Sequence, residues 1–201
     1  MKIIISVLLV FFSVAAVAQK QRVYFPAWTF QQNNTTIYGL SVGLWNFADG
    51  PKRTNSNGLR LSLVGEGILV PFVPSDPIID SDSELIVIKN DTAIETVNGI
   101  NISGTGIAGD YIINGISLGF VGHLTTKTNG ISIAAFNFTQ IHNGLQLAIF
   151  MNQCYQMRGI QIGITNKSKK TRGIQIGLWN CNERRKLPLI NWNFRKKDVD
   201  G

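Results

Sequence analysis

The feature that most constrains this chain is a short phrase that keeps returning at a fixed interval. Gly115-Ile-Ser-Leu-Gly119, Gly130-Ile-Ser-Ile-Ala134, Gly144-Leu-Gln-Leu-Ala148, Gly159-Ile-Gln-Ile-Gly163 and Gly173-Ile-Gln-Ile-Gly177 are variants of one unit. Their leading glycines stand 15, 14, 15 and 14 residues apart, and Gly99-Ile-Asn-Ile lies one step of 16 upstream. A second marker keeps the same time: Asn137, Asn152, Asn166 and Asn180 are separated by 15, 14 and 14 residues. Two markers in step over four units, and one of them over five, identify a tandem repeat, in which each unit must stack on its neighbours to bury a face.

Inside a unit the pattern is that of a strand. In Gly173 to Asn180, residues Ile174, Ile176 and Leu178 point one way, while Gln175, Gly177 and Trp179 point the other. The first set is wholly aliphatic and needs cover from water. Asn98-Gly99, Asn114-Gly115, Asn129-Gly130 and Asn143-Gly144 supply the chemistry of tight corners with positive φ. The linking halves, such as Lys167 to Arg172, are polar and read as turns. No segment carries a helical period, so the chain is expected to be all-β.

Two architectures use such a repeat. In a parallel β-solenoid each period of 14–15 residues is one coil, equivalent residues stack into ladders, and the aliphatic side chains turn inward, each worth about 1.5–3 kcal/mol. On that reading Ile176→Asp places a charge in the core. In an up-and-down antiparallel barrel each period is a strand of about ten residues plus a turn, with the aliphatics toward lipid. A translational repeat favours the solenoid, because a barrel alternates strand direction.

Before the repeats, Met1-Lys2, the apolar run from Ile3 to Val17 and Ala16-Val17-Ala18 ahead of Gln19 have the layout of a secretory signal peptide over residues 1–18. Residues 19–201 then form a single repetitive β domain, most regular over 98–182. Tyr38-Gly39-Leu-Ser-Val-Gly-Leu-Trp-Asn46 and Asn57-Gly58-Leu-Arg-Leu are earlier copies, and Pro71, Pro74 and Pro77 interrupt the pattern. Residues 183–201, with Leu187-Pro-Leu-Ile-Asn-Trp-Asn-Phe194, are expected to cap the open sheet edge.

Chemistry-bearing residues are sparse. His123 and His142 are out of phase with the repeat and sit with no nucleophile and carboxylate at a recognisable spacing. Cys154 and Cys181 differ by one position within the repeat, which argues against a bridge. Asp76, Asp80, Asp82 and Glu84 gather in one stretch but lack the glycine and distal glutamate of a calcium hand, and read as solvated loop charge. The glycines punctuate strands and form no phosphate loop. No catalytic, cofactor or metal site is expected, and the chain reads as a non-enzyme. Residues 167–197 hold ten lysines and arginines against Glu183 alone, within a net charge of +7. If coils stack, Lys167, Lys169, Lys170, Arg172, Arg184, Arg185 and Lys186 align into a basic edge suited to anionic glycans or lipid headgroups. Nucleic acid is not expected, because aromatics are not interleaved with those charges.

The tandem GIQIGLWN-type units, the basic step from Asn182 to Lys186 and the ending from Leu187 to Phe194 resemble an uncharacterised family of bacterial surface repeat-containing proteins. The resemblance covers residues 36–194, with its best motifs in 143–194. It implies a bacterial origin and an exported location at the cell surface, outer membrane or periplasm, and it carries no activity, cofactor or catalytic residue. Together these readings describe a non-catalytic envelope scaffold, with a small outer-membrane barrel of structural or pore role as the alternative.

Overall fold

Eight passes of the chain lie one above another, and the leading glycines mark the same corner of each. The computed structural model describes residues 21–46, 53–73, 78, 81 and 95–194. Strands β1 (Arg22–Tyr24) and β2 (Ala27–Thr29) pair in parallel with β3 (Thr35–Asn46). The stack continues in parallel through β4 (Thr54–Gly65), β5 (Glu95–Ser103), β6 (Gly106–Gly119), β7 (Gly122–Ile162) and β8 (Thr165–Cys181). At 41 residues, β7 runs through nearly three coils, turning its corners at the positive-φ Gly130, Gly144 and Gly159. The result is a β-solenoid of about eight turns, and the barrel alternative falls because neighbouring strands run parallel. The expected signal peptide and the acidic stretch of Asp76, Asp80, Asp82 and Glu84 lie outside the described residues.

Register is set by the repeat. Gly39, Gly58, Gly99, Gly115 and Gly130 pair in succession, as do Gly159 and Gly173. Only glycine fits this corner. Gly144 has φ +129°, and a Cβ there meets the Gly130 carbonyl oxygen at 2.1 Å. Each coil has two walls. The first carries the Gly-Ile-x-Ile phrase. The second is the linking half, which is strand rather than the turn expected from its polarity.

The inside of the solenoid is the reverse of the expectation. The x position of each phrase faces inward and the aliphatics face out: Gln161 and Gln175 are 0% exposed, while Ile162 and Ile176 are each 39% exposed. Stacking at the inter-strand pitch of about 4.8 Å lets equal amides satisfy one another. Gln161 Nε2 donates to Gln146 Oε1 at 2.8 Å, and Gln175 Nε2 donates to Gln161 Oε1 at 2.8 Å. At the far corner Asn137, Asn152, Asn166 and Asn180 form a second chain of amide bonds. Asn152 and Asn166 also donate to the carbonyls of Ile162 and Ile176. The inner row of the second wall runs Val97, Ile113, Thr128, and later Met157, Thr171. Apolar burial is therefore concentrated in the early coils, where Val97, Ile107, Tyr111 and Ile113 form a cluster.

Outside the second wall lie described residues of the excursion between β4 and β5. Its 3-10 helical stretch, Glu66–Phe72, brings Val70 onto the coils. Val70 and Ile78 pack with Phe138, Ile141 and Tyr155 into a buried cluster, flanked by Leu124, Phe136 and Met151. The excursion is thus a cover for part of that wall.

Both ends of the stack are closed. The Phe30 ring lies within 2.8 Å of where a Gly43 Cβ would stand and plugs the first coil. At the other end β9 (Lys186–Asn193) turns back and pairs antiparallel with β8, ending the parallel stack. The Asn182 side chain holds that turn, accepting from the amides of Arg184 and Arg185 at 2.9 and 3.0 Å.

Candidate functional site

The outer surface of the first wall is the most distinctive surface of the molecule. Two side-chain rows run up it, one through Leu40, Leu59, Ile100, Ile116 and Ile131 and the other through Val42, Leu61, Ile102, Leu118 and Ile133. They continue through Ile160 and Ile174, and through Ile162 and Ile176. On β9 they end in Trp192 and Ile190. Every position between Leu40 and Ile176 in these rows is Leu, Ile or Val. A third, outermost row includes Leu44, Leu63, Ile149, Ile164 and Leu178, all 45–64% exposed apart from Leu178 at 65%. At about 4.8 Å per coil and 3.3 Å per residue, the wall measures roughly 38 by 17 Å, or about 600 Å². The largest apolar patch of an ordinary monomer is of that order or smaller, and is often functional.

The glycine-side rim of this wall is neutral for five coils. Asn57, Asn98, Asn114, Asn129 and Asn143 stack there, each later amide donating to the one before at 2.7–2.8 Å. The row then changes to Arg158 and Arg172, which pair in register.

The interior holds the titratable groups. Arg60 is fully buried and makes a bidentate pair with Glu95, Nε to Oε1 at 2.7 Å and Nη2 to Oε2 at 3.0 Å. Its Nη1 donates to Asn101 at 2.9 Å, and the Phe30 ring lies 3.9 Å from the guanidinium. Burial works against the Arg60 charge, but the Glu95 carboxylate outweighs it and raises the guanidinium above its ordinary value. His123 and His142 are interior strand residues. Burial lowers both imidazoles to about 4, against smaller contributions from backbone groups. They are held neutral. Cys154 and Cys181 are both free thiols. Burial pushes the Cys154 thiol far above its usual range, with the Gln161 amide at 3.3 Å working the other way. A neutral thiol and neutral imidazoles enclosed by stacked strands are structural groups. Among the described residues no three His, Cys, Asp or Glu side chains converge where a metal could sit.

The basic residues divide between two places. Lys167, Lys169 and Lys170 lie on the second wall of the last coil, with Arg172 at the glycine corner. Arg184, Arg185 and Lys186 belong to the turn into β9, where Arg185 stacks on Trp192 at 4.5 Å and donates to Asn191 at 3.0 Å. Lys167 and Lys170 stack on Gln153 and Gln156. The lysines therefore form one basic wall of one coil, and only Arg158 and Arg172 form the cation-on-cation ladder expected of a basic edge.

The inward x row and the Arg60–Glu95 pair are among the features missed from sequence. A signal for the first was present: Ser41, Arg60, Asn101, Ser117, Ser132, Gln146, Gln161 and Gln175 are nearly all neutral hydrogen-bonding groups. A solvated strand position accumulates lysine and glutamate instead. Comparisons of this chain with protein-family models, with curated proteins and with solved structures find no match.

Proposed function

We propose that this chain is an exported, non-catalytic scaffold of the bacterial envelope that works by surface contact through its aliphatic wall. The observation that carries the reading is the run of bare Leu, Ile and Val side chains up eight successive coils on a support closed at both ends. A stack whose amides bond from coil to coil holds such a wall rigid, and rigidity lowers the ordering cost of docking. The polar interior also supports a structural role, since its nucleophile and imidazoles are enclosed and neutral. The bacterial envelope enters from the signal-peptide layout and from the resemblance to surface repeat proteins.

Fractionation tests this reading. The full chain, tagged at its C-terminus and expressed in a Gram-negative host, is expected in the envelope or periplasmic fraction with Gln19 as its first residue. Recovery from the cytoplasm with Met1 retained would sink the export reading.

The last coil supports a second, narrower contact. Lys167, Lys169 and Lys170 share one wall there, where the coils beneath present Gln153 and Gln156. An anionic glycan or lipid headgroup suits that wall by charge. Retention on a heparin column that falls away by about 0.5 M salt, and is lost in a Lys167/Lys169/Lys170→Gln variant, is the expected result.

A further inference from the structure

The two walls of the solenoid follow a common rule on their outer sides, and it bears on what covers the aliphatic one. On the second wall the residue after each far-corner asparagine is Phe138, Gln153 and then Lys167; three positions further on stand Ile141, Gln156 and Lys170. Phe138 and Ile141 lie beneath Val70 and Ile78 of the excursion. Beneath the cover the outward positions are the apolar Phe138 and Ile141; in the next coil they become the amides of Gln153, still only 5% exposed, and Gln156, and in the last coil the lysines. The first wall makes no such change. Ile174 and Ile176 in the last coil are as aliphatic as Ile116 and Leu118 four coils earlier, and no described residue of the chain lies over them.

We propose that the occupant of this wall is a second copy of the same wall, the two stacked face to face about a twofold axis with their coil axes antiparallel. The proposal rests on the reading of the wall as the working surface and is independent of where in the cell the protein resides.

Three observations select a second copy. The first is area: two walls of about 600 Å² bury about 1,200 Å², the lower bound of a specific stable interface. That area includes the outermost row of Leu63, Ile149 and Ile164. The second is pitch. Ridges of branched side chains repeat at the strand spacing on this wall, and an identical wall has the same repeat, so the two interdigitate as packed sheets do about 10 Å apart. The third is the shape of the ends. At the first end the rows begin with Ala27 and Thr29, in register with Leu40 and Val42; at the other they end with Trp192 and Ile190. Antiparallel stacking sets the bulky end of each copy on the small end of the other. Parallel stacking would set Trp192, with Arg185 upon it, against its own copy.

A bilayer surface fits less well. Membrane-surface binding gains from cations flanking the apolar face. Here the rim beside the wall is neutral asparagine for five coils and carries cations, Arg158 and Arg172, only at its last-coil end, while Lys167, Lys169 and Lys170 lie on the opposite wall.

Sedimentation equilibrium of the full chain purified after export, over a range of concentrations, tests the proposal together with Ile133→Lys, a half-exposed position near the middle of the wall. The expected result is a dimer for the native protein and a β-rich monomer for I133K, with the dissociation constant raised at least 100-fold. Ile162→Lys, equally exposed, replaces I133K if that variant lacks the β spectrum. Spin labels at Ile133→Cys and Ile190→Cys in a Cys181→Ser background read the orientation. Antiparallel stacking gives a short distance across the dimer at 133 and one of about 40 Å at 190; short distances at both overturn the orientation. A native protein monomeric at every concentration overturns the proposal, and if it then floats with phosphatidylethanolamine–phosphatidylglycerol vesicles the occupant is a bilayer. A dimer indifferent to both lysine variants, or open-ended aggregates that dissolve only in detergent, likewise overturn it. None of these outcomes alters the fractionation result.

Discussion

The two walls of each coil differ most on their outer sides, and the difference separates what folds the chain from what it offers to others. Inward, the first wall presents polar groups that bond from coil to coil, and the second mixes the Thr125–Thr139 pair with the apolar Val97, Ile113 and Met157. Outward, the second wall has its apolar residues roofed by the excursion, with Val70 fully buried on Phe138, Ile141 and Tyr155. The first wall keeps its aliphatics in the open, Ile100 41% and Ile133 39% exposed. Chemically similar side chains therefore serve intramolecular packing on one side and remain available on the other. A repeat protein can divide labour this way because each coil contacts only its neighbours, so an exposed wall costs the stack little cooperativity.

The sharpest way to break the comparison is to place one charge on each wall. Val70→Asp puts an unpaired carboxylate under the roof and is expected to cost about 3–5 kcal/mol, or to prevent folding. Ile133→Lys, on the bare wall, is expected to change the folding stability of the monomer by no more than about 0.5 kcal/mol. Urea denaturation of dilute samples, in which the fold is monomeric, measures both. Equal losses would mean that the bare wall is already covered within the chain.

The period, the glycine corner and the parallel stack were legible in the sequence because each depends on local spacing. Gly115, Gly130 and Gly144 announce a corner. Which side of the strand faces in was not legible from alternation, because Ile-Gln-Ile reads the same from either side. Ordinary preference for apolar burial assigned Ile176 to the core, and Ile176→Asp is now expected to be tolerated by the fold. The amides won the interior because stacking at the strand pitch satisfies both donor and acceptor of Gln161, something alternation within one strand cannot report. The roof was hidden for another reason. The cluster that holds Val70 and Tyr155 gathers residues up to 85 positions apart and follows no repeat.

Acid provides a measure of the inside alone. His123 and His142 are neutral when folded, with values lowered to about 4 from an ordinary 6.5. Between those limits the unfolded chain binds more protons than the folded one, so stability is complete above about pH 6.5 and falls as pH drops toward 4. The loss is expected to be about 2 kcal/mol per histidine between pH 7 and pH 5. His142→Met, which copies the neighbouring Met157 of the same inner row, removes its share of that slope. Denaturation midpoints at pH 7, 6 and 5 check this, and a pH-independent H142M difference would show that the imidazole is solvated.

The smallest effect compares two asparagine ladders of the same chemistry on the two sides of the backbone. Asn152 is buried, bonds to Asn137 and Asn166, and also donates to the Ile162 carbonyl at 2.8 Å. Asn114 lies on the outer rim, with bonds of 2.8 Å to Asn98 and 2.7 Å from Asn129. Water can replace every partner that Asn114 loses but none that Asn152 loses. Asn152→Ala is therefore expected to cost about 1–3 kcal/mol, the desolvation of the groups left behind, and Asn114→Ala about 0.5 kcal/mol or less. Urea midpoints at constant slope decide between them. Equal costs would mean that the outer ladder is also shielded from water, which the antiparallel dimer produces only if the partner's wall extends over the asparagine rim.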